Sequence, residues 1–69
     1  MWIESNGLVN TDKLEALKVV RDTIGYAIVG FKNKQTVYIL RHEDLEVVLD
    51  DFNHIKKCLR AGDPVCSIA

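Results

Sequence analysis

The chain has 69 residues, a net charge of −1 and a hydrophobic content of 48%, values that are ordinary for one small folded domain. A chain of this length buries only about 60% of its unfolded surface, so we expect a monomer of marginal stability that gains from oligomerisation. The near-zero charge gives no general attraction for nucleic acid or an anionic membrane. No stretch approaches the roughly 18 apolar residues of a membrane span, and no signal peptide is recognisable. The sequence predicts one domain over residues 1–69, located in the cytoplasm.

The first predicted element is a small hairpin. Asn6-Gly7 stands between apolar residues, which is a strong hairpin signal, and it would join residues 2–5 to residues 8–11. Asn10-Thr11-Asp12 then forms a turn, because all three side chains can bond to nearby backbone amides. We expect Trp2 to anchor this ribbon to the core or to a neighbouring subunit.

The segment over residues 12–24 fits two different structures. As a helix, it would begin at Asp12 as the N-cap, and Glu15 would complete a capping box. As a strand over residues 15–21, it would turn alternate apolar side chains towards the core. Local propensity slightly favours the helix, so the residues alone leave both structures open.

A second hairpin is predicted from residues 26–31 and 37–41. Both runs are rich in β-branched and aromatic residues, and Asn33 between them suits the positive φ of a tight turn. Both runs also place apolar side chains at odd and even positions. The sheet they build therefore has two apolar faces.

An amphipathic helix is predicted over residues 43–61. Acidic residues occupy its first turn and basic residues its last turns, as the helix dipole favours, and Gly62 and Pro64 end it. Its apolar stripe would pack on one face of the sheet. The predicted core consists of Leu17, Val19, Ile28, Val37, Ile39, Leu45, Val48, Leu49, Phe52, Ile55 and Leu59.

One helix covers only one of the two apolar faces of such a sheet. The other face would exceed the few hundred Å² of apolar patch that soluble monomers normally expose. Pairing two such faces would remove both from water, so we predict a two-fold homodimer. The candidate interface residues are Trp2, Val29, Phe31, Tyr38 and Leu40.

Charge is segregated along the chain. Six basic and two acidic residues lie from Lys13 to His42, whereas five acids and no base lie from Glu43 to Phe52. A basic rim beside aromatic rings could hold nucleic acid or a nucleotide, although the near-neutral charge of the whole domain argues against nucleic acid. The same segregation suits self-pairing of basic rim to acidic helix. The candidate rim residues are Lys18, Arg21, Lys32, Lys34 and Arg41.

No catalytic or cofactor-binding pattern stands out in the sequence. The four glycines are dispersed, and there is no Gly-x-Ser-x-Gly motif. Asp51, His54 and Cys58 share one line of the helix at a chelating spacing, but no fourth ligand is visible, so we interpret them as a solvated helix face. We interpret Cys58 and Cys66 as free thiols, because their spacing is not that of a Cys-x-x-Cys redox pair. We therefore predict no catalytic residue, no cofactor and no metal.

Several segments together resemble a loose group of short bacterial and prophage-encoded proteins of unassigned function. They are Leu8-Val-Asn-Thr-Asp12, the apolar run ending near Val20, the hairpin over residues 26–40, the acidic start of the helix and Gly62-Asp-Pro-Val65. The resemblance implies a strand over Glu15–Arg21 and a small sheet backed by a C-terminal helix, and it brings no catalytic residues. Thr11 departs from the group, where an apolar residue is commoner.

The resemblance and the residue patterns lead to one prediction. We expect an α+β fold in which a small antiparallel sheet of three to five short strands carries one C-terminal amphipathic helix on one face. We expect a non-enzymatic protein-interaction module that self-associates and, by analogy with prophage proteins, modulates a host protein. Nucleic-acid or nucleotide binding through the basic rim is the alternative.

Overall fold

The computed structural model describes residues 1–68 and confirms the α+β class with one C-terminal helix. In this part of the chain, no helix is long and apolar enough to cross a membrane. Within residues 1–68, six strands are divided between two sheets of three strands each. The elements are β1 (Trp2–Glu4), β2 (Leu8–Asn10), a 3-10 turn (Thr11–Lys13), β3 (Ala16–Arg21), β4 (Tyr26–Lys32), β5 (Gln35–His42), α1 (Leu45–Ala61) and β6 (Val65–Ser67). The strand order is β2-β1-β6 in one sheet and β3-β4-β5 in the other.

The ambiguous segment forms strand β3. Asn10 accepts a hydrogen bond from the backbone N–H of Asp12 at 3.0 Å and so caps the short 3-10 turn before it. β3 then pairs with β4 in antiparallel fashion, with Val19 opposite Ile28. This pairing and the burial it brings outweigh the slight helix propensity of the segment, because tertiary packing decides between structures of similar local preference.

The hairpin of β4 and β5 has the predicted turn and an irregular register. Asn33 and Lys34 both have positive φ, 50° and 68°, as a two-residue type I′ turn requires. Further along, Ile28 pairs with Leu40 while Val29 pairs with Tyr38, so Ile39 is the extra residue of a β-bulge. The bulge allows both Ile39 and Leu40 to pack towards the helix.

The second sheet joins the two ends of the chain. β1 pairs with β2 through the predicted Asn6-Gly7 hairpin, and it pairs in parallel with β6 on its other side. The backbone N–H of Trp2 donates to the Pro64 carbonyl, and that of Ile68 donates to the Glu4 carbonyl, both at 2.9 Å. The tail is therefore a hydrogen-bonded strand that also contributes to the core.

The helix ends at the predicted Gly62 but begins at Leu45, two residues later than predicted, because Asp44 is its N-cap and not part of its first turn. Asp44 is the N-cap and accepts a hydrogen bond from the backbone N–H of Glu46 at 2.9 Å. Gly62 adopts the left-handed conformation with φ 73°, where a residue without Cβ avoids strain. Its backbone N–H donates to the carbonyls of Cys58 and Leu59.

The core lies where α1 meets both sheets, and it differs from the predicted one on the helix and at Val37, which is partly buried and outside the core cluster. Leu45, Leu49 and Leu59 were expected inside, but they are 37%, 41% and 45% exposed. β6 packs against α1 and draws Cys58 into the core, so the buried side of the helix is rotated towards Cys58. The core cluster is Ile3, Ile28, Ile39, Val48, Ile55, Cys58, Cys66 and Ile68, with Leu17, Val19, Leu40 and Phe52 among the partly buried residues around it.

Candidate functional surfaces

The outer face of the β3-β4-β5 sheet, which carries Ala27, Val29, Phe31 and Tyr38, points away from the helix. Because side chains alternate along a strand, Ala27 and Val29 lie on the face of the sheet opposite to that of Ile28. Both are nevertheless almost fully buried, at 0% and 1% exposure. Long cationic side chains lie over the neighbouring rings of this face, with Lys18 Nζ 5.4 Å from the Phe31 ring centroid and Arg41 Cζ 4.9 Å from that of Tyr38.

The structure therefore brings together only part of the predicted interface. Phe31 is partly buried and Tyr38 is 56% exposed on the outer face, but Val29 is already buried. Leu40 is partly buried against the core on the helix side because of the bulge. Trp2 is 45% exposed on the second sheet, opposite Asn10 and Val65. These residues do not form one continuous apolar patch.

The five basic residues predicted to form a rim are spread over the length of the sheet. Lys32 and Lys34 lie at the hairpin end, Lys18 opposite Val29 at mid-strand, and Arg21 and Arg41 near the other end. Arg41 is also engaged, because its Nε lies 2.8 Å from Asp22 Oδ2.

Asp22 stays ionised beside Arg41. The backbone N–H of Ile24 donates to its carboxylate at 3.2 Å and lowers the pKa of Asp22, and the Thr23 hydroxyl and the Arg41 charge act in the same direction. Part of the basic charge on the outer face is therefore neutralised within the chain.

The rotated helix leaves an exposed flank of α1 that consists of Leu45, Leu49, Phe52 and Leu59. Lys56 lies in the same row, with its Nζ 5.2 Å from the centroid of the Phe52 ring. Phe52 is partly buried, and the three leucines are more than a third exposed. Leu59 borders a groove of about 320 Å³ between the helix and the start of β3. The other lining residues are Thr11, Asp12, Leu14, Glu15, Ala16 and Leu17.

A thiol–imidazole cluster of His54, Cys58 and Cys66 lies on another side of the helix. The Cys58 sulfur is 3.8 Å from His54 Nε2, and one ligand atom from each of the three residues lies within 4.8 Å of the others. Both cysteines are buried, at 6% and 1% exposure, whereas His54 is exposed. The interpretation of this line as a solvated helix face is therefore wrong for Cys58, because β6 covers it.

The chemistry of this cluster follows from its burial. Burial, and then the hydrogen bond and charge of the neighbouring Cys58 thiol, raise the pKa of Cys66, so its thiol is protonated at neutral pH when no cation is near. Both cysteines are free thiols. Asp51, one helical turn before His54, is not part of the cluster, although its Oδ2 is buried without a hydrogen-bond partner in the described chain.

Cys66 is the residue of this cluster that sequence reasoning missed. His54 and Cys58 are recognisable together because i and i+4 are neighbours on a helix. Cys66 joins them only through the parallel pairing of β6 with β1, where it stands opposite Ile3. The only signal in the sequence was the apolar tail itself.

Comparisons with protein families, with curated proteins and with solved structures found no match for this chain.

Proposed function

We propose that this protein is a non-enzymatic protein-interaction module that self-associates as a two-fold dimer through the exposed flank of α1. The observation that carries this proposal is the partial exposure of four large apolar side chains in one row beside an open groove. A small domain has a small hydrophobic core and is only marginally stable. Burying these exposed side chains against a second copy would therefore stabilise the folded chain. The helix flank replaces the outer sheet face as the proposed interface, because Val29 is already covered within the chain.

The spacing of the flank suits a two-fold axis. Leu45 and Leu59 are each seven residues from Phe52. Antiparallel pairing of two copies of α1 about an axis at Phe52 would place Leu45 of one copy level with Leu59 of the other. Such an interface is isologous, since the same residues contribute from both sides.

Charge along the helix supports the antiparallel arrangement. Glu46 in the first turn and Arg60 in the last turn border this flank on the same side at about 100° per residue, whereas Lys56 lies within the flank, with its Nζ 5.2 Å from the centroid of the Phe52 ring. In the antiparallel pair, Glu46 of one copy stands within about one helical turn of Lys56 and Arg60 of the other. Opposite charges at the edge of an apolar seam select partner and orientation, as they do in coiled coils.

The groove beside Leu59 would receive part of the second copy. Leu14 and Leu17 line it from the β3 side, and Leu59 lines it from the helix. Since Leu45 of the second copy is level with Leu59, its side chain can fill this groove. A pocket filled by an aliphatic anchor near the seam is a typical source of binding energy in protein interfaces.

The proposal also includes where the dimer acts in the cell. We place the dimer in the cytoplasm, where the two thiols stay reduced. The resemblance to short prophage-encoded proteins suggests that the dimer binds and modulates a host protein, by analogy.

The Leu49→Lys substitution tests the dimer directly. Leu49 lies in the middle of the flank and would meet Lys56 of the second copy, so a lysine there adds a desolvated like charge and should weaken association at least about tenfold. The matched control is Val47→Lys on the same helix, because Val47 is 37% exposed, close to the 41% of Leu49, but lies off the flank. Sedimentation equilibrium from micromolar to millimolar concentration should show a dimer for the parent and for Val47→Lys, and a monomer for Leu49→Lys.

A charge exchange tests the orientation. Glu46→Lys alone should weaken the dimer, because it places two like charges together at each end of the interface. Adding Arg60→Glu should restore the dimer, because each new lysine then faces a glutamate of the other copy.

A parent protein that remains monomeric at millimolar concentration would refute the dimer. A dimer that survives Leu49→Lys but dissociates with Tyr38→Lys would refute the helix flank and assign association to the outer sheet face.

One observation favours the alternative of nucleic-acid or nucleotide binding. Two rings on the outer face, Phe31 and Tyr38, each have a cation beside them, and stacking rings with nearby cations bind single-stranded nucleic acid in many proteins. This alternative requires binding of a single-stranded oligonucleotide that weakens steeply with salt and is lost in Tyr38→Ala. Fluorescence anisotropy at two salt concentrations distinguishes it from the dimer proposal.

A further inference from the structure

We propose that His54, Cys58 and Cys66 form a zinc site that links α1 to β6, with Nε2 of the histidine and two cysteine thiolates as ligands. Water would take the fourth position. This inference is independent of the proposed dimer, since the ligands lie off the exposed flank. The sequence pattern of Asp51, His54 and Cys58 alone does not support such a metal site.

The distances are close to those of a tetrahedral zinc centre. Zn–S bonds of about 2.3 Å and Zn–N bonds of about 2.0 Å place the ligand atoms of a tetrahedron roughly 3.5–3.8 Å apart. The Cys58 sulfur and His54 Nε2 are already 3.8 Å apart, and the largest separation in the cluster is 4.8 Å. Closing the site therefore needs shifts of about 1 Å, within reach of side-chain rotation.

The donor set selects the class of metal. Thiolate and imidazole ligands favour zinc and exclude the hard cations Mg²⁺ and Ca²⁺, which take oxygen ligands. Two thiolates also balance the charge of a divalent ion. This balance matters because both sulfurs are buried, and an uncompensated charge there would be costly.

The burial pattern is that of a site with one open side. Cys58 and Cys66 are covered by the core, while His54 is exposed and leaves a path from solvent. A ligating histidine usually donates its other ring nitrogen to a carboxylate. Asp51 is three residues before His54 on the helix, and its Oδ2 is buried without a partner in the described chain.

Zinc would join two elements that are otherwise distant in sequence. α1 supplies two ligands and β6 supplies the third, so the ion closes a link between the helix and the terminal strand. An ion that binds only the folded chain raises the midpoint of thermal unfolding.

The experiment uses protein purified under reducing conditions and titrated with Co²⁺ and then Zn²⁺. We expect one ion per chain, intense near-ultraviolet absorption from cobalt–thiolate charge transfer, and the visible bands of tetrahedral Co²⁺, which Zn²⁺ should abolish. His54→Ala should weaken Zn²⁺ binding at least about tenfold, because it removes a ligand. His54 is exposed, so this variant keeps its fold, and His42→Ala, at the other exposed histidine, is the matched control with unchanged affinity.

Thermal unfolding provides a second readout. Zn²⁺ should raise the midpoint of the parent and of His42→Ala by several degrees and that of His54→Ala by much less. Cobalt spectra without thiolate absorption, or equal affinities for the parent and His54→Ala, would overturn the proposal. A Cys58–Cys66 disulfide that persists under the reducing conditions of the titration would overturn it too, because it leaves no thiolate ligands.

Discussion

A chain shortened to end at Asp63 is expected to be largely unfolded at room temperature. The truncation removes residues 64–69, which include β6 and carry two buried side chains, Cys66 at 1% and Ile68 at 9% exposure. Burying an aliphatic side chain contributes about 1.5–3 kcal/mol, and a buried cysteine behaves as a small hydrophobic residue. Since a domain of this size commonly has only about 3–5 kcal/mol of stability, these losses are enough to unfold it.

The truncation also removes backbone pairing that holds the first strand. The Pro64 carbonyl accepts from Trp2, and the Ile68 N–H donates to Glu4, so β1 would lose one of its two neighbours. Ile3, which is fully buried in the core cluster and pairs with Cys66, would then be open to water on that side. The truncation is therefore expected to lower the free energy of unfolding by more than the burial of the deleted side chains alone.

Far-ultraviolet circular dichroism and urea titration measure this effect. The matched control is Val65→Ala, which keeps β6 but alters a side chain that is 49% exposed, and it should cost no more than about 1 kcal/mol. A truncated chain that unfolds cooperatively at nearly the same urea concentration as the parent would show that the second sheet is an accessory to the core.

The elements that the sequence predicted well are those with local signals. The Asn6-Gly7 hairpin, the turn at Asn33 and the capped helix each depend on residues within a few positions of one another. Backbone conformation at such sites is set mainly by the residues themselves, so pattern reasoning reaches them. Strand β3 was left open by the same reasoning, because its preference was decided by pairing with β4.

The features that sequence analysis missed depend on one long-range pairing. β6 lies beside β1 although more than 60 residues separate Ile3 from Cys66, and no local pattern specifies that register. The rotation of the helix, the burial of Cys58 and the meeting of Cys66 with His54 all follow from it. The candidate metal cluster therefore could not be predicted from the helix pattern alone.

The orientation of the helix can be tested with two alanine substitutions. Ile55 and Leu59 both belong to the predicted apolar stripe, one helical turn apart, and a sequence argument gives them equal weight. In the structure, Ile55 is 0% exposed within the core cluster, whereas Leu59 is 45% exposed beside the groove. The two variants remove aliphatic side chains of the same size, so their difference reports the rotation.

Ile55→Ala is expected to lower the free energy of unfolding by about 2–5 kcal/mol, because it removes buried surface and leaves a cavity at the junction of the helix with both sheets. Leu59→Ala should cost about 1 kcal/mol or less, since much of its side chain already contacts water. Alanine has the highest helix propensity, so neither change weakens the helix itself. Urea unfolding at several protein concentrations measures both values, because only the contribution of association depends on protein concentration.

The same pair separates stability from association. If the helix is rotated as described, Leu59→Ala should weaken the dimer while leaving the monomer nearly as stable as the parent. Similar destabilisation by both variants would contradict the rotation, because it would mean that Leu59 is buried as deeply as Ile55. Leu59 would then belong to the core of the monomer, and it could not contact a second copy as the proposed interface requires.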